Sequence, residues 1–155
     1  MAAALREALA CREAMIALPH ARGPRWPYWL SFLATHPVET TRGRIYGSSF
    51  VSRPDEAPWI DTAEYRRRVR TLWQGRDAVL VTGGGSLTPA HLTGARSVVT
   101  VDIPPRDAAR DIGKISVPDG DIVILCGGAA ATILATRLAR QGRWAVDLGY
   151  YGRFL

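Results

Sequence analysis

Two glycine turns and two aspartates are the residues of this 155-residue chain that best suit chemistry by type and position. The turns at 83–86 and 127–128 each follow an apolar run and precede the start of a helix. Such a turn brings backbone N–H groups close to a ligand, and the helix N-terminus favours an anion. Asp102 and Asp147 each close an apolar run, where a carboxylate can bind ribose hydroxyls, a metal ion or a proton. The pattern indicates a protein that handles nucleotides or phosphates.

The two turns also have a purely structural interpretation. Gly83, Gly84 and Ser86 form either a ligand loop or a plain tight turn, because neither GxGxxG nor a Walker motif is present. Around Gly128, small residues let a phosphate approach, or only let a helix pack close to the sheet. The Thr132 hydroxyl donates to a phosphate in one interpretation and to the preceding helical turn in the other.

The charged candidates have similar alternatives. Asp102 binds a ribose or a metal ion, or it caps the turn that follows. Asp107 is expected to cap a helical turn at 106–112, and Asp147 lies at the end of the last predicted strand and faces the proposed ligand edge. Arg53 lies in a long irregular segment, from which an arginine can clamp a phosphate or extend into solvent.

The elements that must position these residues follow from hydrophobic periodicity. From residue 61 onward, helices alternate with continuous apolar strands, which is typical of a mainly parallel sheet covered on both faces. We therefore predict a three-layer, Rossmann-like α/β fold in one domain, 1–155, with a helical and irregular part at 1–60 and an alternating core at 61–150. The predicted strands are 78–83, 97–103, 121–126 and 144–148, and the main predicted helices are 2–17, 28–35, 61–75 and 129–141. Parallel strands place both glycine turns and both aspartates at one edge of the sheet.

The charge balance points weakly towards an anionic partner. Twenty basic residues against fourteen acidic ones give a net charge of +6, and Lys114 is the only lysine. The cluster Arg66–Arg68 with Arg70 is the solvated face of a helix or, in the alternative, a patch for nucleic acid. The two cysteines form no CxxC or Cys/His pattern, which argues against a structural zinc site.

Targeting signals are not apparent in the chain. No apolar run is long enough to span a bilayer. The charged residues near the N-terminus begin too early and are too evenly spaced for a signal peptide; they are Arg6, Glu7, Arg12 and Glu13. We expect a cytoplasmic protein. Tryptophans in irregular regions (Trp26, Trp29 and Trp59) predict an exposed apolar surface, which would be an acceptor groove or the interface of a homo-oligomer.

Four segments resemble the bacterial GT-D-fold glycosyltransferases. They are F-V-S-R-P at 50–54, W-Q-G-R-D at 73–77, P-R-D-A at 105–108 and, most specifically, the stretch 121–150. Within that stretch Gly128 and Thr132 match the family's turn, and Asp147 with Gly149 matches its D-x-G motif. Asp107 stands where the family has Asn, and Tyr150 where it has His.

The resemblance implies a function. A GT-D protein transfers a sugar from a nucleotide-diphosphate donor, usually a UDP-sugar, with a divalent cation such as Mn²⁺ or Mg²⁺ as cofactor. By this resemblance Asp147 would activate the acceptor hydroxyl or bind the sugar. The residues at the donor would be Arg53, Gly83, Gly84, Ser86, Asp102, Asp107, Gly128, Thr132 and Tyr150.

The chain departs from the family pattern at its acidic residues. The family's D-x-E pair, which binds the metal–diphosphate, does not occur, and we expect that the chain begins after the strand that carries it. Thr82 and Gly83-Gly84 replace the acidic V-E-G-E strand end, so no metal ligand is assigned. An inactive nucleotide- or partner-binding module with the same fold is therefore the alternative to a transferase, and an accessory subunit that docks through the Arg66–Arg70 cluster is a third.

Overall fold

The computed structural model describes residues 2–18, 26–36, 45, 47–48, 61–83, 87–104 and 108–149. Its helices are α1 (Ala2–Ala10), α2 (Trp26–Thr35), α3 (Thr62–Arg70), α4 (Ala108–Asp111) and α5 (Ala129–Arg140). Its strands are β1 (Ala17–Leu18), β2 (Gly47–Ser48), β3 (Asp77–Thr82), β4 (Ser97–Asp102), β5 (Ile122–Cys126) and β6 (Ala145–Asp147). Short 3-10 turns follow at Pro89–His91 and Ile112–Lys114.

The centre of the fold is a four-stranded sheet in the order β4-β3-β5-β6, in which every neighbouring pair is parallel. β1 and β2 form a separate pair of two residues each. Successive residues of β3 face opposite sides of the sheet and enter two different cores. The predicted three-layer α/β fold with a parallel sheet is therefore confirmed.

Each face of the sheet has its own apolar core. One face packs against α3 and the segment that follows β3, through Val69, Trp73, Leu87 and Leu92. The other face packs against α5, through Ala130, Ala131, Leu134 and Leu138, with Ile103 and Ile112 beside them. α1 lies on the outer side of α5, where the Arg140 guanidinium donates to Glu7 at 2.7 Å.

Local signals in the sequence set several element boundaries. Asp61 caps α3, because its carboxylate accepts from the backbone N–H groups of Ala63 and Glu64 at 2.9 and 3.2 Å. The predicted helix at 2–17 is wrong beyond Ala10, since the chain turns there so that Ile16 can join Ala8 and Leu9 in one small buried cluster. None of the helices in the described ranges is long and apolar enough to cross a bilayer.

Candidate functional site at the carboxyl edge of the sheet

The carboxyl ends of the four strands lie side by side. Thr82 at the end of β3 is in register with Asp102 of β4 and Cys126 of β5, and Asp147 of β6 is in register with Leu125. The Gly83 N–H donates to the Cys126 carbonyl at 3.1 Å, which aligns the two glycine turns. The expected convergence at one edge is therefore present for the described candidates, which are Gly83, Asp102, Gly128, Thr132 and Asp147.

Five other candidates lie outside the described residues. They are Arg53, Gly84, Ser86, Asp107 and Tyr150. Their proposed roles stay predictions, as does any role of Trp59 in an apolar surface.

The edge contains a topological switch between β3 and β5. From β3 the chain passes over the α3 face to β4, whereas from β5 it passes through α5, on the opposite face, to β6. The two connections therefore leave adjacent strands in opposite directions. In open α/β sheets a crevice forms at such a point, and ligands bind there, outside the carboxyl ends of the strands.

The two glycine turns are not equivalent. Ile103 packs against both: a Cβ atom at Gly83 would lie 3.1 Å from Ile103 Cγ1, and one at Gly127 would overlap Ile103 Cδ1. Gly128, by contrast, has a φ of +55° and no atom within 4 Å of a Cβ position. Gly83 and Gly127 thus make room for Ile103, and Gly128 leaves the backbone open to solvent. Sequence reasoning missed Ile103, which looks like any apolar strand residue.

Gly128 is also the N-cap of α5, a helix of 12 residues, and provides no side-chain cap. The Ala131 N–H donates to the Gly128 carbonyl at 3.0 Å, and the earlier N–H groups of the first turn, which Gly128 cannot cap, lie with the positive end of the helix dipole at the open backbone. This arrangement suits a phosphate or another oxyanion.

Asp147 is held beside this helix terminus. Its carboxylate accepts a hydrogen bond from the Thr132 hydroxyl at 3.2 Å and from the Gly149 N–H at 3.0 Å. Burial raises the pKa of Asp147 to about 6, although both hydrogen bonds act in the opposite direction. A carboxylate that takes up a proton near neutral pH is suited to general acid–base chemistry. Thr132 thus orients Asp147, a contact that neither sequence interpretation included.

Thr82 and Asp102 form a second polar pair at the edge. The Thr82 side chain is 5% exposed, and its hydroxyl has no hydrogen-bond partner among the described residues. A buried hydroxyl without a partner costs roughly 1–3 kcal/mol. Asp102, next to it in register, is exposed and makes no hydrogen bond or ion pair within the same ranges.

At the opposite end of the sheet, where the strands begin, the charged side chains already form ion pairs with one another. Arg96 bridges Asp77 and Asp121 and so joins the beginnings of β4, β3 and β5, and the Ser97 hydroxyl donates to Asp77 at 2.7 Å. The Arg96 guanidinium, helped by Ser97, lowers the pKa of Asp77 to about 2. These residues tie the strands together, and their position is remote from the crevice.

The arginine cluster on α3 is exposed. Arg67 and Arg68 both pair with the Glu64 carboxylate, at 2.6 and 2.7 Å. This pairing within one helix matches the solvated-face interpretation; binding of nucleic acid there stays untested.

A divalent cation needs several oxygen or nitrogen ligands close together. Within these ranges, no three His, Cys, Asp or Glu side chains are grouped as metal ligands. Asp102 and Asp147 are separated by three strand positions, about 14 Å at about 4.8 Å per strand, which is too far to share one ion. The described residues therefore do not fit the Mn²⁺ or Mg²⁺ that the family resemblance implies.

A three-layer α/β protein whose glycine turns and polar residues gather at the carboxyl ends of its parallel strands is the class that this geometry defines. Residues 30–153 match the model of the glycosyltransferase GT-D fold, and the chain belongs to this family. Comparison with curated proteins gave no match.

Solved structures share the fold. A glycosyltransferase from Streptococcus sanguinis with the domain of unknown function 1792 is 24% identical, with a TM-score of 0.74 over 97% of this chain and 65% of that chain. A second structure of that domain, described as a distinct glycosyltransferase fold, is 22% identical, with a TM-score of 0.65 over 89% of this chain and 57% of the other. The chain thus spans 57–65% of the length of these two relatives.

Proposed function

We propose that this chain binds a nucleotide-diphosphate sugar, a UDP-sugar by family resemblance, and transfers the sugar to an acceptor hydroxyl. One observation carries the proposal: the open backbone at Gly128 and the Asp147 carboxylate lie together where the chain leaves β5 and β6. Membership in a glycosyltransferase fold family supports the reaction class.

The diphosphate would bind at the N-terminus of α5. Its oxygens accept hydrogen bonds from the first backbone N–H groups of the helix, and the helix dipole stabilises the charge. Gly128 lets the phosphate reach the backbone because no side chain stands in the way. The same contacts become stronger when the diphosphate leaves, since negative charge then develops on the bridging oxygen.

Asp147 would act as the general base. Its ionised carboxylate takes the proton of the acceptor hydroxyl while the acceptor oxygen forms a bond to the anomeric carbon of the sugar. The bond between that carbon and the diphosphate breaks, and the diphosphate departs with the electron pair. Thr132 and Gly149 hold the carboxylate in place through the proton transfer. No step is assigned to a cation, because the described residues do not provide its ligands.

Other candidates would complete the site. Tyr150 directly follows Gly149 in the chain, and Gly84 and Ser86 follow Gly83. In this proposal they line the crevice together with Asp107, and Arg53 closes over the phosphates.

A binding module without transfer is the second candidate. It is favoured by the sequence, in which no D-x-E pair occurs and Thr82 and Gly83-Gly84 stand where the family pattern has two acids. Such a protein would retain the nucleotide and release it unchanged.

Thermal unfolding with UDP and a panel of UDP-hexoses tests the proposal, with and without Mn²⁺. A ligand at 100 times its Kd stabilises a protein by about 2.7 kcal/mol, which a melting curve detects. We expect stabilisation by UDP together with slow hydrolysis of a UDP-hexose. Asp147→Asn should keep the UDP stabilisation and lose the hydrolysis.

The outcomes separate the two candidates. If UDP stabilises the protein but no UDP-hexose is hydrolysed, either with or without Mn²⁺, the binding module is supported. If no nucleotide changes the melting temperature, both candidates are wrong.

A further inference from the structure

The pair Thr82–Asp102 is built unlike the rest of the sheet. Both residues end their strands, they are in parallel register, and strand alternation puts both side chains on the α3 face. At the other end of the same two strands, Asp77 is in register with Ser97 and accepts hydrogen bonds from Ser97 and Arg96. Only the pair at the carboxyl edge is left without partners among the described residues.

An unpartnered buried hydroxyl needs a physical explanation, because such groups are rare in native proteins. The Thr82 hydroxyl can donate one hydrogen bond and accept others, whereas the Asp102 carboxylate only accepts. The ligand group that matches such a pair carries two neighbouring hydroxyls: both can donate to the carboxylate, and one can also bond with the threonine hydroxyl.

We propose that Thr82 and Asp102 bind the ribose 2′- and 3′-hydroxyls of the donor nucleotide and so select ribonucleotides over deoxyribonucleotides. This inference rests on the proposed function. An acid at the end of the strand beside a glycine turn binds ribose in dinucleotide-binding folds, and here Asp102 ends the strand adjacent to the turn that begins at Gly83.

Binding of the ribose to this pair would also set the orientation of the donor nucleotide along the ends of the strands. The nucleoside would lie over the ends of β4 and β3, the diphosphate at α5, and the sugar towards Asp147 on β6. The distance of about 14 Å between Asp102 and Asp147 gives these three linked parts room along the crevice.

Titration calorimetry with UDP and 2′-deoxy-UDP on the unaltered protein tests the proposal directly. We expect UDP to bind about tenfold more tightly, as for the loss of one hydrogen bond to a charged group. Equal affinities for the two nucleotides overturn the ribose assignment and leave the proposed function intact. No binding of either nucleotide overturns both.

Asp102→Ala should weaken UDP about tenfold and abolish the preference over 2′-deoxy-UDP. Asp119→Ala is the matched control, because Asp119 is also exposed but precedes β5 at the opposite edge of the sheet. The control should keep both the affinity and the preference. A preference that survives in Asp102→Ala overturns the assignment.

Thr82→Val gives a readout on the protein without ligand. Removing an unpartnered hydroxyl should raise the melting temperature by about 2–5 °C, while the affinity for UDP falls. Thr136→Val is the control: Thr136 is 3% exposed, but its hydroxyl bonds with the Thr132 carbonyl at 3.0 Å, so its loss should lower the melting temperature. An unchanged UDP affinity in Thr82→Val removes Thr82 from the ribose site.

Discussion

The Cδ1 atom of Ile103 occupies the space in which a Cβ atom of Gly127 would lie. Ile103 follows β4 and is 5% exposed, and it also packs against Gly83 in the other glycine turn. One apolar side chain therefore packs against both turns at the carboxyl ends of the strands. The glycines at 83 and 127 are explained by packing, whereas Gly128 has open space around it and is the glycine that the proposed phosphate would approach.

Gly127→Ala should destabilise the protein by about 1–3 kcal/mol, because the new methyl group overlaps Ile103. Ile103→Val removes the overlapping Cδ1 atom and alone should cost about 0.5–1.5 kcal/mol. The double variant should lose at least about 0.5 kcal/mol less stability than the sum of the losses in the two single variants, as measured by urea unfolding. Strict additivity would contradict the contact.

Gly128→Ala should cost about 1 kcal/mol of stability because the residue has a φ of +55°, and it should weaken UDP binding at least tenfold by placing a methyl group at the helix N-terminus. Gly142→Ala is the matched control, since Gly142 follows the other end of α5 with a φ of +71° and is equally unobstructed. Melting curves and UDP titrations should show destabilisation in both variants, at least as large in Gly128→Ala because its ψ is −137°, and weaker binding only in Gly128→Ala. Equal UDP affinities would place the phosphate elsewhere.

Asp147 should impose a pH dependence on stability. Its pKa is raised from 3.8 to about 6 in the folded state, so the folded protein holds this proton more tightly than the unfolded chain. Its contribution to the free energy of unfolding is therefore complete below about pH 4 and lost as the pH rises through about 6, a change of about 3 kcal/mol. Asp147→Asn should lack this decrease.

Urea unfolding of both proteins between pH 4 and pH 8 measures the difference, because the other carboxylates are the same in each. Donor hydrolysis should increase through about pH 6 as the base ionises. Parallel stability profiles for the two proteins would show that the Asp147 carboxyl is not buried in solution.

Arg96→Gln should lower stability in a manner that depends on pH and salt. Arg96 and Ser97 lower the pKa of Asp77 to about 2, so the stability that this pairing provides is present above about pH 4 and is lost as the pH falls through 2. The difference from the unaltered protein should thus shrink in acid and at high salt, as followed by thermal unfolding. Arg67→Gln, in a pair within one helix, is the control and should have a smaller effect at pH 7. A stability difference between Arg96→Gln and the unaltered protein that is the same at pH 2 and pH 7 would contradict the pairing of Arg96 with Asp77.

The sequence predicts the sheet well because its strands are continuous apolar runs between strong breakers. β3, β4, β5 and β6 each lie within a residue of their predicted bounds, and Asp61 caps α3 as its position indicates. Local rules suffice there, since a buried parallel strand needs only apolar side chains on both faces.

The rest depends on contacts between residues distant in sequence. The contact of Thr132 with Asp147, 15 residues apart, and the packing of Ile103 between two turns both require the strand order, which periodicity does not give. The unpartnered Thr82 hydroxyl is likewise visible only when its neighbours are in place. The positions of the glycine turns could be predicted from the sequence. The sequence could not show that Gly127 is needed for packing against Ile103 whereas Gly128 leaves the backbone open.

The ionic tie of Arg96 to Asp77 and Asp121 has a consequence for how such a protein diversifies. It links the beginnings of three strands, at the end of the sheet remote from the loops that follow Thr82 and Cys126. Insertions and replacements in those loops, apart from Gly83 and Gly127 that pack against Ile103, can then accumulate at little risk to folding. A lineage built on this frame can exchange one ligand for another while the sheet beneath stays the same.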